Sequence, residues 1–260
     1  MRILVTFAVE AEFAPWRSRR KFVRQVADGL SLWQSSIDDA EVCVLLTGIG
    51  DDKASVMDLM MRVAKIGQYF DFCISSGLAG ALRCDYRLGE IVVAKVLKSA
   101  HIHKDLGRDW LELDKQLVEI AVSQGAKPAS AFYTAATVLT TAEEKSRLAT
   151  SADVVEMESF DVVKQGCAWG ARCIAIRAIS DRSGEDLPID FNKTISSDHQ
   201  VSIPRVLAEL AKNPVSLGPL IRFGKQSHSA AESLAQFLEA YLTSIVRNVV
   251  TAAPVKVALR

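Results

Sequence analysis

The sequence predicts an α/β sandwich organised as one domain. Its 260 residues suffice for a single large domain with a well-buried core. Several apolar, β-branched runs show no polar alternation, which is typical of strands buried on both faces of a sheet. Helical patterns lie between many of these runs, and such alternation indicates an α/β fold.

Six short apolar runs are predicted to form strands, because each is rich in β-branched or aromatic residues. In chain order they are Ile3–Phe7, Val42–Leu46, Phe72–Ser76, Ile91–Leu97, Phe132–Val138 and Cys173–Ser180. Three irregular stretches, at 99–110, 182–194 and 213–226, have the length of lids or substrate-contacting loops, although ordinary surface loops explain them equally well.

Two internal helices are predicted from apolar residues at helical spacing. The first lies between Asp51 and Gly67. Its apolar stripe consists of Val56, Leu59, Met60, Val63 and Ile66. The second begins near Glu158 and ends by Gly170. Its buried residues are expected to be Phe160, Val163 and Cys167.

The C-terminal segment Ser229–Val249 is apolar enough to be compared with a membrane span. Charged residues interrupt it at Glu232, Glu239 and Arg247, so a span is not expected. Its apolar residues recur on one helical face: Leu234, Phe237, Leu238, Tyr241, Leu242, Ile245, Val246 and Val249. We therefore expect a C-terminal helical extension at about 200–260 that packs on the protein and does not associate with a membrane.

The charge balance excludes the footprint of a nucleic-acid-binding protein. The chain has 31 basic and 31 acidic residues, and such neutrality favours a small-molecule ligand over nucleic acid. The N-terminal apolar run is too short for a signal peptide, and the five cysteines are odd in number and irregularly spaced. A cytoplasmic protein with reduced thiols is the resulting expectation.

Acidic residues follow the first predicted strand, in the segment Phe7–Glu12. In open α/β sheets the ligand crevice lies beyond the carboxyl ends of the strands, so these carboxylates are candidates for a site. A second interpretation is that they are N-terminal helix charges, which the helix dipole favours.

Glycine-containing segments follow two further strands, as Thr47–Gly50 and Ser75–Gly80. Glycine allows the backbone to approach a ligand closely or to adopt a positive φ angle. Neither segment matches the dinucleotide fingerprint or the P-loop. A tight turn explains either one alone, but two such segments after successive strands favour a site.

Two more segments, Val154–Glu158 and Arg177–Asp181, each place a carboxylate at the end of a hydrophobic run. Burial raises the pKa of a carboxylate, which allows it to hold a proton as a general acid must. Helix capping is the alternative interpretation of Glu158 and Asp181.

Taken in order, these motifs resemble those of the purine nucleoside phosphorylase and nucleosidase superfamily. The resemblance covers about 1–182 and is strongest to 5'-methylthioadenosine/S-adenosylhomocysteine nucleosidases and their relatives, including futalosine hydrolases and hopanoid-associated nucleoside phosphorylases. It implies a three-layer α/β/α sandwich with a mixed central sheet, a homodimer or higher homo-oligomer, and a purine-type nucleoside as substrate. It also implies no cofactor, with inorganic phosphate as co-substrate only for a phosphorylase.

The resemblance implies a role for each matching residue. Asp181 would protonate or hydrogen-bond N7 of the purine, and Ser180 would orient its carboxylate. Glu158 would accept hydrogen bonds from the ribose hydroxyls, and Met157 would pack against the sugar. Glu12 would act as general base on the attacking water. The other substrate-binding residues implied are Ala8, Gly77, Leu78, Val138 and Glu156.

One departure leaves the reaction open. Leu78 stands where methylthioadenosine nucleosidases carry a serine that faces the sugar and the nucleophile. Three features favour the futalosine or hopanoid-associated branches: Leu78, the helix start Ala142-Glu143-Glu144-Lys145 and the additional segment after Asp181. Hydrolysis is the first hypothesis, phosphorolysis the second, and a non-catalytic nucleoside-binding protein the third.

Two further groups of residues are not predicted to belong to the site. His101 and His103 have no carboxylate or cysteine at a spacing that would complete a metal site, so no metal is predicted. A basic cluster near Glu12 could bind phosphate, but a solvated helix face explains it better. Its members are Arg17, Arg19, Arg20 and Lys21.

Overall fold

A computed structural model describes residues 1–27, 30–49, 58–63, 69–103, 107–196 and 202–249. The described residues form ten strands, all in one sheet. The strands are β1 (Arg2–Phe7), β2 (Val23–Ala27), β3 (Leu30–Ile37), β4 (Ala40–Leu46), β5 (Phe72–Ala81), β6 (Ile91–His103), β7 (Arg108–Glu112), β8 (Lys127–Thr134), β9 (Val154–Glu156) and β10 (Arg172–Asp181).

The sheet is mixed, and part of it closes on itself. Its strand order is β10-β6-β8-β9-β5-β1-β4-β3-β2, with β7 paired to β6. Strand β5 also pairs with β10, which closes a ring of five strands, β5, β10, β6, β8 and β9. Strand β1 is parallel to both β4 and β5, whereas β10 is antiparallel to β6. The predicted α/β fold with a mixed central sheet is thereby confirmed.

Helices pack against this sheet and against one another. They are α1 (Glu10–Arg19), α2 (described at 58–63), α3 (Lys115–Ser123), α4 (Ala142–Leu148), α5 (Ser159–Ala168), α6 (Ile203–Lys212) and α7 (Leu217–Val249). Helix α5 contacts β5 and β10, and α7 contacts β10 and α1. Short 3₁₀ helices at Phe191–Lys193 and Pro214–Ser216 precede α6 and α7.

The central strands are buried on both faces, as their continuous apolar sequences predict. In β1, Ile3, Leu4 and Val5 are completely buried, and nine of the ten residues of β10 are buried. Strand β9 is also buried throughout. Because β1 and β10 are parallel to β5, and β9 pairs antiparallel with its last residues, the residues that end or follow these three strands are brought beside residues 78–80 of β5.

Several predicted boundaries are wrong. Strand β5 runs through Gly77 to Ala81, so the predicted glycine turn is itself strand. The irregular stretch predicted at 99–110 contains the end of β6 and the first three residues of β7, and these two strands pair antiparallel. Strand β8 ends at Thr134, before the predicted end at Val138.

Four strands were not predicted, namely β2, β3, β7 and β9. Strands β2 and β3 lie at one end of the sheet order, where mixed polar and apolar residues suffice because residues 23–26 of β2 are exposed and β3 is only partly buried. Strand β9 has only three residues, which is too short for a periodic signal.

The predicted helices are present where the structure describes them. Helix α5 buries Phe160 and Val163 as expected, but Cys167 is exposed because it lies in the last turn, at the exposed end of the helix. Only 58–63 of the helix predicted after Asp51 are described, and they are helical, with Met60 and Val63 buried. The remaining residues of that prediction lie outside the described part of the chain.

The predicted amphipathic C-terminal helix is confirmed, and it begins earlier than expected, at Leu217. All seven of the predicted apolar-face residues from Leu234 to Val246 are buried. Ion pairs also connect this helix to α1, from Arg19 to Glu232 at 2.5 Å and from Arg20 to Glu239 at 2.6 Å. No helix within the described residues is long and apolar enough to cross a membrane.

Candidate functional site

A cavity of about 550 Å³ lies beside β5, at the carboxyl ends of β1, β9 and β10. It brings together most of the residues that the sequence singled out. Those lining it are Ala8, Glu12, Leu78, Val138, Glu156, Met157, Glu158, Ser180 and Asp181. Gly77 is not among the lining residues but lies against the carboxylate of Glu12.

Glu12 occupies the N-terminal turn of α1 and turns its carboxylate back towards the strand end. Its Oε2 accepts a hydrogen bond from the backbone N–H of Ala8 at 3.0 Å, and its Oε1 accepts one from the N–H of Leu78 at 2.9 Å. Burial raises the pKa of Glu12 above its ordinary value of 4.5, and the hydrogen bond from Leu78 and the charge of Arg177 oppose that rise. The helix-terminus interpretation and the site interpretation of Glu12 therefore both apply.

Leu78 contributes to this arrangement through its backbone. The N–H that reaches Glu12 does not depend on the side chain, so a leucine here can hold the carboxylate as well as a serine would. Its neighbour Gly77 has a φ angle of +148°, and a Cβ atom added there would lie 3.1 Å from both carboxylate oxygens of Glu12. Glycine is required at this position because the carboxylate approaches the strand so closely.

Glu156 lies at the end of β9, and its carboxylate is fully enclosed by protein donors. Arg177 Nη2 donates to its Oε2 at 2.7 Å, and the backbone N–H groups of Glu158 and Ser159 donate to the same oxygen at 3.0 and 2.7 Å. The hydroxyl of Thr134 donates to the other oxygen. This carboxylate therefore organises the turn between β9 and α5.

Glu158 stands at the N-terminal boundary of α5, but its side chain makes no capping hydrogen bond. Its Oε2 lies 3.7 Å from Arg177 Nη2, and the side chain retains 12% exposure, which faces the cavity. Arg177 itself is 1% exposed and lies beneath both glutamates. The capping interpretation of Glu158 does not apply to its carboxylate.

Asp181 ends β10, and both of its carboxylate oxygens have a partner. Ser180 Oγ donates to Oδ1 at 2.7 Å, and Lys145 Nζ lies 2.6 Å from Oδ2. Lys145 is completely buried in α4 and also donates to the backbone carbonyls of Arg182 and Glu185, each at 2.8 Å. Asp181 is thus held in place by a buried ammonium group and does not cap a helix.

Gly80 allows Asp181 to reach this position. A Cβ atom added at Gly80 would lie 2.8 Å from Asp181 Oδ2 and 3.3 Å from Val155 Cγ1. The first distance is shorter than Cβ atoms tolerate, so any larger residue would displace the carboxylate. The glycines of β5 are therefore explained by two carboxylates that pack against the strand.

The far end of the cavity is apolar and is built by segments that follow β10. We call it the apolar end. Its residues are Leu187, Phe191, Ile195, Ile203, Val206, Leu220 and Phe223. The rings of Phe191 and Phe223 pack with their centroids 5.3 Å apart. Asn192 connects this region to the segment beyond β8, because its side-chain amide exchanges two hydrogen bonds of 2.9 Å with the backbone of Val138.

A sequence profile described as the phosphorylase superfamily matches residues 2–212, which is most of the chain. The chain belongs to the phosphorylase superfamily. A curated relative, 5'-methylthioadenosine/S-adenosylhomocysteine nucleosidase of Geobacillus kaustophilus, is 24% identical over 238 residues, which cover 81% of this chain and 97% of that protein.

Solved structures resemble this phosphorylase-superfamily member in fold. A futalosine hydrolase mutant of Helicobacter pylori has a TM-score of 0.69 at 18% identity, with 93% of this chain and 98% of that chain covered. The 5'-methylthioadenosine/S-adenosylhomocysteine nucleosidase of S. pneumoniae, solved with a transition-state inhibitor, has a TM-score of 0.70 at 20% identity, with coverage of 94% and 100%.

Two buried cations of this superfamily member do not stand out in the sequence. In the sequence, Lys145 stands at the start of a predicted helix and Arg177 is the first residue of the segment Arg177–Asp181. Neither position indicates that the side chain is buried and paired. Their signal is indirect, since a lysine and an arginine within or beside apolar segments must have partners when buried. The apolar end is also not evident from sequence, because its residues are scattered over 187–223 and converge only in the fold.

The basic cluster and the two histidines were not predicted to belong to the site. Arg17 pairs with Glu10 within α1, whereas Arg19 and Arg20 pair with Glu232 and Glu239 of α7. None of these arginines lines the cavity. The backbones of His101 and His103 lie in β6, while their side chains are outside the described part of the structure. The described residues include no cluster of potential metal ligands.

Proposed function

We propose that the protein hydrolyses the N-glycosidic bond of a 5'-modified adenosine or a related purine-type nucleoside. The observation that carries this proposal is the convergence of Glu12, Glu158 and Asp181 on one cavity, each held by a different set of donors. A carboxylate at the base, one at the sugar and one at the water are the three groups this hydrolysis needs. The superfamily membership and the nucleosidase relatives support it.

Asp181 acts on the leaving base. As the C1'–N9 bond breaks, its electron pair moves onto the purine. N7 then gains a proton that Asp181 takes up from solvent and passes on, while Lys145 holds the carboxyl group in place. Lys145 and Ser180 act as positioning residues, because each fixes one oxygen of that carboxylate. The base then leaves as a neutral purine.

Glu158 binds the ribose by accepting hydrogen bonds from its 2'- and 3'-hydroxyls, and Met157 packs beside the sugar. Arg177 and Glu156 lie beneath this contact and are positioning residues. Glu156 has little capacity to accept further hydrogen bonds from a substrate, because its carboxylate already has four protein donors.

Glu12 activates the nucleophile. It removes a proton from water as the water oxygen bonds to C1', in parallel with the base of a glycoside hydrolase. Its raised pKa suits this role, because a base accepts protons better as its pKa approaches the working pH. The sugar product carries the new hydroxyl at C1'.

Water is favoured over phosphate as nucleophile. Among the described residues that line the cavity there is no lysine or arginine, and His228 is the one side chain there that could become cationic. A phosphate dianion would lack the paired cation that such sites provide. Separately, the apolar end of the cavity would bind an apolar 5' substituent of the nucleoside.

One assay tests the reaction. The protein is incubated with methylthioadenosine, adenosylhomocysteine, inosine and futalosine, with and without phosphate, and the base and sugar products are identified. Free base and free sugar without phosphate are expected. A strict need for phosphate, with a sugar 1-phosphate as product, would establish the phosphorylase alternative, and nucleoside binding without turnover would establish the non-catalytic one.

Three further expectations accompany this function. The chain is expected to act as one domain with its C-terminal helical extension, as a homodimer or higher homo-oligomer, in the cytoplasm. Size-exclusion chromatography with light scattering measures the oligomeric state directly.

A further inference from the structure

An apolar surface lies beside the cavity on α6 and the start of α7. We call it the docking face and define it by Leu207, Val215, Leu217 and Ile221. These side chains are 60%, 84%, 52% and 52% exposed. None of the ten residues of α6 is buried. A helix that stays this exposed while carrying large apolar residues is not explained by packing within the described chain.

The apolar residues of α6 form a single stripe. Ile203, Val206, Leu207 and Leu210 recur at helical spacing, whereas the opposite side carries Arg205, Glu209 and Lys212. The docking face also continues the apolar end of the cavity. Val206 and Leu220 line the cavity, and their immediate neighbours Leu207 and Ile221 are exposed.

The segment that carries the docking face is locally basic, and the exposed Arg222 and Lys225 follow Ile221 on α7. Between Ile203 and Lys225 the chain has four basic residues and one acidic residue, a local charge of +3 in a chain whose net charge is zero. The basic residues are Arg205, Lys212, Arg222 and Lys225, and the acidic residue is Glu209, which pairs with Lys212 at 2.7 Å. Apolar residues set among basic ones are typical of helices that lie in a membrane interface.

We propose that the docking face binds reversibly to an anionic lipid surface. The apolar side chains would enter the interface, and Arg222 and Lys225 at the start of α7 would contact the lipid headgroups. The charge distribution favours lipid over a second copy of the chain, because a two-fold contact between identical faces would bring the exposed Arg222 and Lys225 of both copies together. This revises the sequence-based expectation that the C-terminal extension at about 200–260 does not associate with a membrane, which rested on the apolar face of Ser229–Val249.

The proposal does not depend on which bond the enzyme cleaves, because it rests on the exposed helices alone. It places the entrance to the apolar end at the lipid surface, since α6 and α7 contribute to both. A peripheral contact is compatible with the finding that no described helix could cross a membrane.

Vesicle flotation tests the proposal with the whole protein. Wild-type protein is mixed with phosphatidylcholine vesicles, with or without phosphatidylglycerol, and the bound fraction is measured at low and high salt. The test variant is Leu207→Glu/Ile221→Glu. The matched control is Val23→Glu/Val26→Glu, which adds the same charges to valines of β2 that are 55% and 64% exposed. Thermal unfolding by circular dichroism verifies that both variants are folded.

Wild type and control are expected to float with vesicles that contain phosphatidylglycerol, to bind pure phosphatidylcholine at least about tenfold more weakly, and to lose binding at high salt. The test variant should bind at least about tenfold more weakly than the control. Equal binding by both variants, or no binding by wild type, would overturn the proposal. If wild type fails to bind and the test variant alone has a smaller mass by light scattering, the docking face is a contact between copies.

Discussion

The ammonium group of Lys145 lies 2.6 Å from Oδ2 of Asp181, and the lysine is completely buried. Two backbone carbonyls accept its remaining protons, so all three N–H groups have partners. Because α4 carries the lysine and β10 carries the aspartate, this ion pair fixes the helix to the strand end that we propose binds the base.

Lys145→Met should destabilise the protein and reduce turnover. Removing one partner of a buried ion pair leaves the other charge uncompensated, which costs about 3–5 kcal/mol in the free energy of unfolding. Urea denaturation measures that loss. Lys212→Met is the matched control, because that lysine is 71% exposed and its ion pair with Glu209 is worth less than about 1 kcal/mol.

A second substitution separates stability from chemistry. Asp181→Asn alone should lower kcat by about 10²–10⁴-fold, the usual contribution of a general acid. In the double variant Lys145→Met/Asp181→Asn, the buried charge is gone, so part of the lost stability should return while kcat stays low. A double variant as unstable as the sum of the single variants would show that the two residues do not interact.

Gly80→Ala should impair catalysis while the fold is kept. The added Cβ atom would lie 2.8 Å from Asp181 Oδ2, so the carboxylate must move. Displacing a catalytic group by about 1 Å can cost roughly 10²-fold in rate, and we expect kcat to fall at least about tenfold. Gly218→Ala is the control, since no heavy atom lies within 4 Å of a Cβ atom there. Equal kcat values for the two variants would contradict this explanation of Gly80.

Much of the fold and part of the site follow from the sequence alone. Central strands such as β1 and β10 were predicted because continuous apolar runs have few other structures available. The carboxylates of Glu12 and Asp181 were found because each directly follows such a run. Their partners were not found, since pairing between Lys145 and Asp181 joins residues 36 positions apart through the fold.

The glycines of β5 show why the remaining features could not be predicted. Sequence patterns associate glycine with turns, so the strand was expected to end at Ser76. The structure continues it to Ala81, because Gly77 and Gly80 serve to admit the carboxylates of other elements. Glycine in this segment could therefore indicate either a turn or a strand that another element approaches closely, and only the packing distinguishes the two.

Leu78→Ser should change activity little. The backbone N–H of residue 78 holds Glu12 Oε1 at 2.9 Å, and this hydrogen bond is independent of the side chain. We expect kcat/KM to stay within about tenfold of wild type, the scale of one hydrogen bond or one small apolar contact. A gain or loss well beyond tenfold in steady-state kinetics would show that the leucine side chain itself defines the nucleophile site.

The loss of activity at low pH should reflect the protonation of Glu12. A general base must be ionised, and burial raises the pKa of Glu12 above its ordinary 4.5. The fall of kcat/KM at low pH should therefore have a midpoint above pH 4.5. In Glu12→Gln that limb should be absent and kcat should fall by about 10²–10⁴-fold. An unchanged limb in the variant would assign it to another group.

The same raised pKa makes a prediction about stability. A carboxyl whose pKa is higher in the folded state binds its proton more tightly there than in the unfolded chain, so its contribution favours folding most at low pH. That contribution should decline as pH rises from 4.5 through the raised pKa of Glu12, and it should stay constant above that pKa. Glu12→Gln lacks this ionisation. Over that pH range, the free energy of unfolding of the variant should therefore increase relative to that of wild type as pH rises. Urea denaturation of both proteins at a series of pH values measures the difference, and a difference that does not vary with pH would contradict the burial of an ionised Glu12.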